Sequence, residues 1–339
     1  MHEVVISGVG YHAPDKILTN AELEKIIETS DEWIRERTGI RERRVAPPEH
    51  AMSDMSIPAA RQALEHAQVD PMELDLVVCA TSTPDMLMPN TAAIIAHGIG
   101  AARAAAFDIE AACSGFVYGV VVAQQFIATG MYEHVLVVGG DLLSKFLNWE
   151  DRGTAVLFGD GAGAAVLSRS ETPGLLATTL GADGSGADYI TIPVGSRTPP
   201  SGEKGLHCVH MKGREVYKWA VDIVPRTILE ITERAGLRPQ DVEHYILHQA
   251  NLRIIDSVAK RVGVREDQLI VNVDRMANTS AGTVPIALAE AAEMGKLKTG
   301  DRICMVGFGS GLTWASAIVR WTCVNPFPAR QAAAMAEAN

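Results

Sequence analysis

The chain has 339 residues, 47% of them hydrophobic and 21% charged, a globular composition that excludes a disordered chain and a small scaffold held by disulfides or a metal. Acidic residues outnumber basic ones, 41 against 30, for a net charge of −11; this excludes a general binder of nucleic acid or of an anionic membrane, and any phosphorylated partner needs a local basic patch. Five widely spaced cysteines, Cys79, Cys113, Cys208, Cys304 and Cys323, no secretory leader and no apolar run of the ~18 residues a membrane span needs together predict a soluble cytoplasmic protein with reduced thiols.

In chain order, an apolar strand is predicted over 3–10, followed by a helix over 55–67, a strand over 75–80 and a helix over 90–98. The next helix, 114–129, carries hardly a charged residue and is therefore expected to be buried on every side. Strands follow over 134–139 and 162–167, the second fed by the turn Phe158-Gly159-Asp160-Gly161. Residues 183–205, rich in Gly, Ser and Pro, read as a surface excursion. Beyond it come a helix over 212–235, a strand over 245–248, helices over 251–262 and 284–294, and a strand over 302–306. The alternation suggests a largely parallel sheet covered by helices.

The run Phe308-Gly309-Ser310-Gly311, leading into small residues through 319, echoes the turn at 158–161, and each follows an apolar strand that ends in glycine. An internal duplication follows, with halves 1–172 and 173–323 and an alanine-rich tail, 324–339.

Three places offer chemistry. Cys113 heads the buried helix, where unpaired N–H groups and the dipole are expected to favour thiolate and lower the pKa, although small buried hydrophobe is the commoner fate of a cysteine. His248 ends a strand, where open α/β sheets place ligands, and could equally be a satisfied polar cap. Asn278-Thr279-Ser280-Ala281-Gly282-Thr283 is a polar loop before Pro285 and a helix, which by itself could serve as an N-terminal cap.

Other signals are decoys. Gly8-Val9-Gly10 fits a dinucleotide fingerprint loosely, but Pro14 obstructs the helix that must follow. His207-Cys208-Val209-His210 alternates its ligands between two faces of a strand and has no second cluster, so no metal is expected. Gly159-Asp160-Gly161-Ala162-Gly163 lacks the lysine and hydroxyl of a phosphate loop.

Taken together, the stretches Trp33-Ile34-Arg35-Glu36-Arg37-Thr38-Gly39-Ile40-Arg41 within 29–43, Ala112-Cys113-Ser114-Gly115-Phe116, Leu157 through Gly163, His248-Gln249-Ala250-Asn251-Leu252-Arg253 and Asn278 through Pro285 resemble the beta-ketoacyl-acyl-carrier-protein synthase III family. The resemblance runs from residue 3 to about 321 and implies an α/β thiolase-like fold, two duplicated halves in a layered α-β-α-β-α sandwich. It implies decarboxylative condensation of an acyl-CoA primer with malonyl-acyl-carrier protein through acyl-Cys113, initiating fatty-acid synthesis. CoA is then a substrate and no cofactor is expected.

By the same resemblance, His248 and Asn278 hold the malonyl thioester carbonyl, and the backbone N–H groups of Cys113 and Ser310 form a second oxyanion hole. The CoA site comprises Thr29, Trp33 (stacking on the adenine), Arg37, Arg152, Tyr217 at the tunnel mouth and Asn251 along the pantetheine. Lys218, Arg253 and Lys260 meet the carrier protein, with Lys212 and Arg214 as further basic candidates. Met88 stands where well-known members carry an aromatic residue that closes the acyl pocket across a homodimer interface, so primer choice is open. A biosynthetic thiolase needs a second cysteine in the late glycine turn, and residues 307–311 have none. A related synthase of specialised metabolism and a non-catalytic partner subunit remain the alternatives.

Overall fold

A computed structural model of the protein describes residues 1–195 and 207–328. The end of the predicted excursion and most of the tail lie outside the described residues. The first half comprises β1 (Glu3–His12), β2 (Ile17–Thr19), α1 (Asn20–Leu23), α2 (Asp31–Thr38), β3 (Glu42–Arg44), α3 (Met52–Ala67), β4 (Leu76–Ala80), α4 (Thr91–Ile99), β5 (Ala105–Ile109), α5 (Gly115–Ala128), β6 (His134–Leu142), α6 (Arg152–Ala155) and β7 (Asp160–Ser170). The second comprises β8 (Leu175–Ala182), β9 (Ile190–Thr191), β10 (His210–Met211), α7 (Gly213–Arg234), β11 (His244–Leu247), α8 (Leu252–Val262), α9 (Val273–Met276), α10 (Thr283–Glu293), β12 (Arg302–Gly309) and β13 (Thr313–Arg320).

Two main sheets form, in the orders β1-β7-β6-β4-β5 and β8-β13-β12-β11. A parallel bridge from Leu269 to Tyr245 of β11 stands where β5 stands beside β4. Helices α3 and α4 cover the outer face of the first sheet, α5 and α10 lie between the sheets, and α7 covers the outer face of the second with α8 packed on it. These are the five layers of the thiolase-like sandwich.

The expectation of a largely parallel sheet is corrected. Only β4-β5, β4-β6 and β11-β12 are parallel, whereas β1-β7, β6-β7, β12-β13 and β13-β8 are antiparallel. The physical reason is visible at the late glycine turn: only three residues separate β12 from β13, too few for the crossover that parallel pairing requires.

Helix α5 is buried along nearly its whole length because both sheets press on it, which an uncharged sequence permits. Gly8 and Gly10 serve strand–helix packing: a Cβ on either would come within 2.4 Å of α3 carbonyl oxygens at Ala63 and Ala59. Helix α8 shows its design most plainly. Asn251 caps it through Ile254 N–H at 3.0 Å, Gly263 ends it at φ 77°, and Ile254, Ile255, Val258 and Val262 face the core. Each such burial stabilises by about 1.5–3 kcal/mol. The opposite face of α8 is left to Arg253 and Lys260. No helix among the described residues is long and apolar enough to cross a membrane.

Candidate active site

Cys113 lies in a 3-10 turn, Ala112–Ser114, that runs directly into α5. Two glycines of β12 let the late turn press backbone against backbone on it: a Cβ at Gly309 would sit 2.8 Å from the Cys113 nitrogen, and one at Gly307 would sit 2.8 Å from the Ser114 Cα. Thr313 fastens the same contact, its hydroxyl lying 2.8 Å from the Ser114 Oγ, 3.0 Å from the Ala111 carbonyl and 2.8 Å from the Ser310 carbonyl. The Ser310 hydroxyl donates its proton to the Ile190 carbonyl at 2.6 Å, so the donor Ser310 has left for the site is its backbone N–H. Gly309→Ala is expected to displace the Cys113 backbone and slow acylation of Cys113 about a hundredfold with the fold retained. Intact-mass kinetics with acyl-CoA, beside a circular dichroism melt, measure this; a wild-type acylation rate would refute it.

The three residues that stood apart in sequence meet around Ser280. Its hydroxyl lies 3.3 Å from the Cys113 Sγ, its N–H donates to Asn278 Oδ1 at 2.8 Å, and its carbonyl lies 2.9 Å from the Thr283 hydroxyl, which in turn is 2.7 Å from His248 Nδ1. Asn278 is not a helix cap: α10 begins from Gly282 without a side-chain cap, and the Asn278 carbonyl oxygen is held inside its own loop. Its Nδ2 is therefore the end of the amide left to serve a ligand. The His248 ring meets Phe308 edge-on at 5.0 Å between centroids. Ala112, Ala277 and Ser280 have positive φ without being glycine, at 46°, 56° and 51°, and they flank or face the nucleophile and the amide. Backbone strain is thus concentrated at this site, where surrounding packing must maintain it.

Cys113, His248, Asn278, Ser310, Tyr217 and Asn251 all line one cavity of about 460 Å³. Its rim includes the exposed residues Glu110, Ala187 and Gly213, so the thiol is reached through the cavity. The excursion is corrected here: Ile190, Thr191, Ile192 and Val194 form a wall of this cavity and not merely surface. They belong there because their apolar side chains shield it from water.

Thr29, Trp33, Arg37 and Arg152 lie apart from the cavity lining. The Arg152 guanidinium sits 4.7 Å from the Trp33 ring centroid and that of Arg37 5.9 Å away, while the Thr29 hydroxyl is buried without a partner. Trp33, Leu157 and Leu252 pack against one apolar cluster that includes Ile34 and Val156, and Leu157 also lines the cavity. Arg253 lies over the Tyr217 ring at 5.8 Å, and Lys218, Arg253 and Lys260 are exposed on α7 and α8. Lys212 is exposed and pairs with Asp188, and Arg214 is exposed beside it. Met88 is 84% exposed and does not line the cavity of its own chain, because the loop before α4 carries it outward. Sequence reasoning missed Ser280, Thr283 and Phe308; the available signal was the run of hydroxyls directly after Asn278.

Residues 107–184 match the family model described as 3-oxoacyl-[acyl-carrier-protein] synthase III, and residues 232–321 match the model of its C-terminal part. A curated relative named beta-ketoacyl-[acyl-carrier-protein] synthase III from Caldanaerobacter subterraneus subsp. tengcongensis is 52% identical over 94% of this chain and 97% of its own. The chain belongs to the beta-ketoacyl-[acyl-carrier-protein] synthase III family. Among solved structures, the 3-oxoacyl-[acyl-carrier-protein] synthase III of Aquifex aeolicus VF5 superposes with a TM-score of 0.88 at 43% identity, covering 94% of this chain and 100% of that one. The priming beta-ketosynthase of the R1128 polyketide pathway superposes with a TM-score of 0.91 at 36% identity, covering 96% and 97%.

As a synthase III the chain is a condensing acyltransferase, and its electrostatics differ from the expectation of an ionised nucleophile. Burial pushes the Cys113 thiol up to about 12; the Ser280 hydroxyl pulls it down, and the Asp141 and Glu110 carboxylates push it further up. Burial also lowers the His248 imidazole to about 3. The correction has a physical cause: the position before α5 is enclosed by both sheets, and burial there disfavours the charged thiolate, with smaller contributions from Asp141 and Glu110. The synthase at rest therefore holds neutral thiol beside neutral imidazole.

Proposed function

We propose that this synthase condenses an acyl-CoA primer with malonyl-acyl-carrier protein to give a 3-oxoacyl-acyl-carrier protein, the opening step of fatty-acid synthesis. The observation that carries the reading is the convergence of Cys113, Asn278 and His248 on Ser280. Cys113 takes the acyl group, with the backbone N–H groups of Cys113 and Ser310 receiving the carbonyl oxygen, and CoA departs. Malonyl-carrier protein follows. Asn278 Nδ2 and His248 Nε2 receive its thioester carbonyl, so that loss of CO₂ leaves a stabilised enolate, which attacks acyl-Cys113. Each donor lowers the barrier by about 3 kcal/mol. The step moves no electrons to or from an external acceptor, so CoA enters as substrate and the reaction requires no redox cofactor.

CoA is assigned to the Trp33 cluster. A planar guanidinium already rests on the Trp33 ring, and an adenine entering there would exchange one flat partner for another while Arg37 and Arg152 meet the phosphates. Thr29 supplies a hydroxyl, and Asn251 and Tyr217 flank the pantetheine arm. The carrier protein is assigned to Lys218, Arg253 and Lys260, a local basic face on a chain of net charge −11. Arg253→Glu is expected to raise KM for malonyl-carrier protein about tenfold at low salt, an effect that shrinks as salt screens it, while acylation by acyl-CoA is preserved. Equal loss in both assays would remove Arg253 from the carrier face.

A homodimer and a cytoplasmic location complete the proposal. Met86, Leu87 and Met88 form an exposed apolar run, which a second copy would cover, bringing Met88 to the end of its acyl pocket. Similarity to the R1128 priming ketosynthase favours a second reading, a synthase of specialised metabolism with a different primer. Intact-mass spectrometry after mixing with acetyl-, isobutyryl- and octanoyl-CoA tests all of this. Acylation at Cys113 is expected, the preferred chain separates the two readings, and no mass gain with any of them would sink both.

A further inference from the structure

We propose that Arg43 is a positioning residue for CoA, its buried guanidinium fixing the spacing between the helix that carries Trp33 and Arg37 and the helix that carries Arg152. The consequence for substrate use rests on the assignment of CoA to the Trp33 cluster made above; the linkage itself rests on hydrogen bonds. Arg43, in β3, is 0% exposed. Its three hydrogen bonds all go to uncharged oxygens: Nη1 donates to the Leu18 carbonyl at 3.1 Å, and Nη2 donates to Asn20 Oδ1 at 2.9 Å and to the Val156 carbonyl at 3.1 Å. Burial lowers the guanidinium to about 10 while the Glu42 carboxylate raises it, so the group is still a cation at neutral pH. Enclosing a charge among neutral partners is costly. What the side chain supplies in return is reach, since a planar fork serves acceptors in several directions and a lysine ammonium, a single point, does not.

Two of those bonds lead to opposite sides of the Trp33 cluster. Asn20, also buried, carries the first to α2: its Nδ2 donates to Asp31 Oδ1 at 2.9 Å, on the first residue of that helix, and to the Ile40 carbonyl at 2.8 Å, just beyond the Gly39 that ends it. One amide thus holds both ends of the helix that bears Trp33 and Arg37. With Nδ2 turned to two oxygens, it is Oδ1 that faces the guanidinium, so the amide has one orientation that satisfies every partner. The second bond goes to Val156, the residue that closes α6 at its C-terminal end, and α6 begins at Arg152. The Arg152 and Arg37 guanidinium carbons lie 4.7 Å and 5.9 Å from the Trp33 ring centroid. The place assigned to the adenine and its phosphates is therefore bounded by the two helices that Arg43 ties together.

The test compares two acyl donors in the Cys113 acylation assay on the full-length protein: acetyl-CoA and the acetyl thioester of N-acetylcysteamine, which has the reacting end of CoA without its nucleotide. Arg43→Lys retains the charge and loses the fork. It is expected to raise the half-saturating acetyl-CoA concentration about tenfold, to leave the rate at saturation within about twofold, and to leave acylation by the truncated thioester within about twofold of wild type. The truncated donor separates positioning from general loosening. Gly159 lies against Arg43, where an added Cβ would come within 3.2 Å of the Arg43 Cβ, and its N–H donates to the Asn278 carbonyl, so a change that merely relaxed the catalytic loop would slow both donors alike. Equal loss with both donors, or a wild-type half-saturation with acetyl-CoA, overturns the proposal. Asn20→Ser cuts only the arm to α2 and leaves the guanidinium its two carbonyls; it is expected to give the same split between donors, and it decides the matter where Arg43→Lys fails to fold. Trp33→Ala tells the two readings apart. If it raises half-saturation with acetyl-CoA and the Arg43 and Asn20 variants do not, the role of Arg43 alone falls; if it leaves half-saturation unchanged, CoA is removed from the cluster and both fall.

Discussion

Asn278→Asp is expected to slow malonyl decarboxylation by more than about 10³-fold and to be worse than Asn278→Ala. The Asn278 Oδ1 accepts the Ser280 N–H, a bond aspartate keeps, so the loop geometry survives and the substitution falls on the other end of the group. There, a donor becomes a carboxylate oxygen facing the enolate oxygen. Losing the donor costs about 10²–10³-fold. Two unit charges about 4 Å apart at an effective dielectric near 20 repel by about 4 kcal/mol, which adds roughly another factor of 10³. Asn278→Ala carries only the first loss. Release of labelled CO₂ from malonyl-carrier protein measures the effect, and partial recovery of the aspartate variant at low pH, as its carboxyl is protonated, would identify charge as the cause. A decarboxylation rate for the aspartate variant at or above that of alanine would defeat the assignment.

The reactivity of Cys113 toward iodoacetamide is expected to rise about tenfold for each pH unit from 6 to 10 without a plateau. The sign follows from the environment: burial disfavours the charged form and raises the thiol to about 12, so at pH 7 only about one site in 10⁵ is thiolate. An unperturbed cysteine, with a pKa of about 8.5, would level off within that range. Ser280→Ala removes the hydrogen bond that favours thiolate and should slow alkylation, while Asp141→Asn removes a charge that opposes it and should speed it. A plateau below pH 8 would mean a stabilised thiolate and would refute the neutral resting pair. Acyl transfer at neutral pH then requires the proton to leave as sulfur attacks.

How far the sequence reached can be seen element by element. Helices α3, α4, α5, α7, α8 and α10 begin and end within three residues of their predicted limits, since each carries apolar spacing and all but α3 carry a capping residue or a glycine stop. Strands β5 and β8 were not anticipated: β5 is an edge strand and β8 is half exposed, so neither carries the unbroken apolar run of a strand buried on both faces.

Local sequence alone determined the uncharged core helix, its cysteine at the head, the caps of α8 and the motifs that name the family, because those depend on neighbours along the chain. The tertiary structure alone decided the antiparallel pairings, the use of residues 190–194 as a cavity wall, and the meeting of Cys113, Asn278 and His248 through Ser280 and Thr283. It also reversed the expected direction of the thiol pKa. A side chain's charge state depends on the water and the charges removed or gathered around it, and those come from residues such as Asp141 and Ser280, far from Cys113 in the chain and adjacent to it only once the sheets have closed on α5.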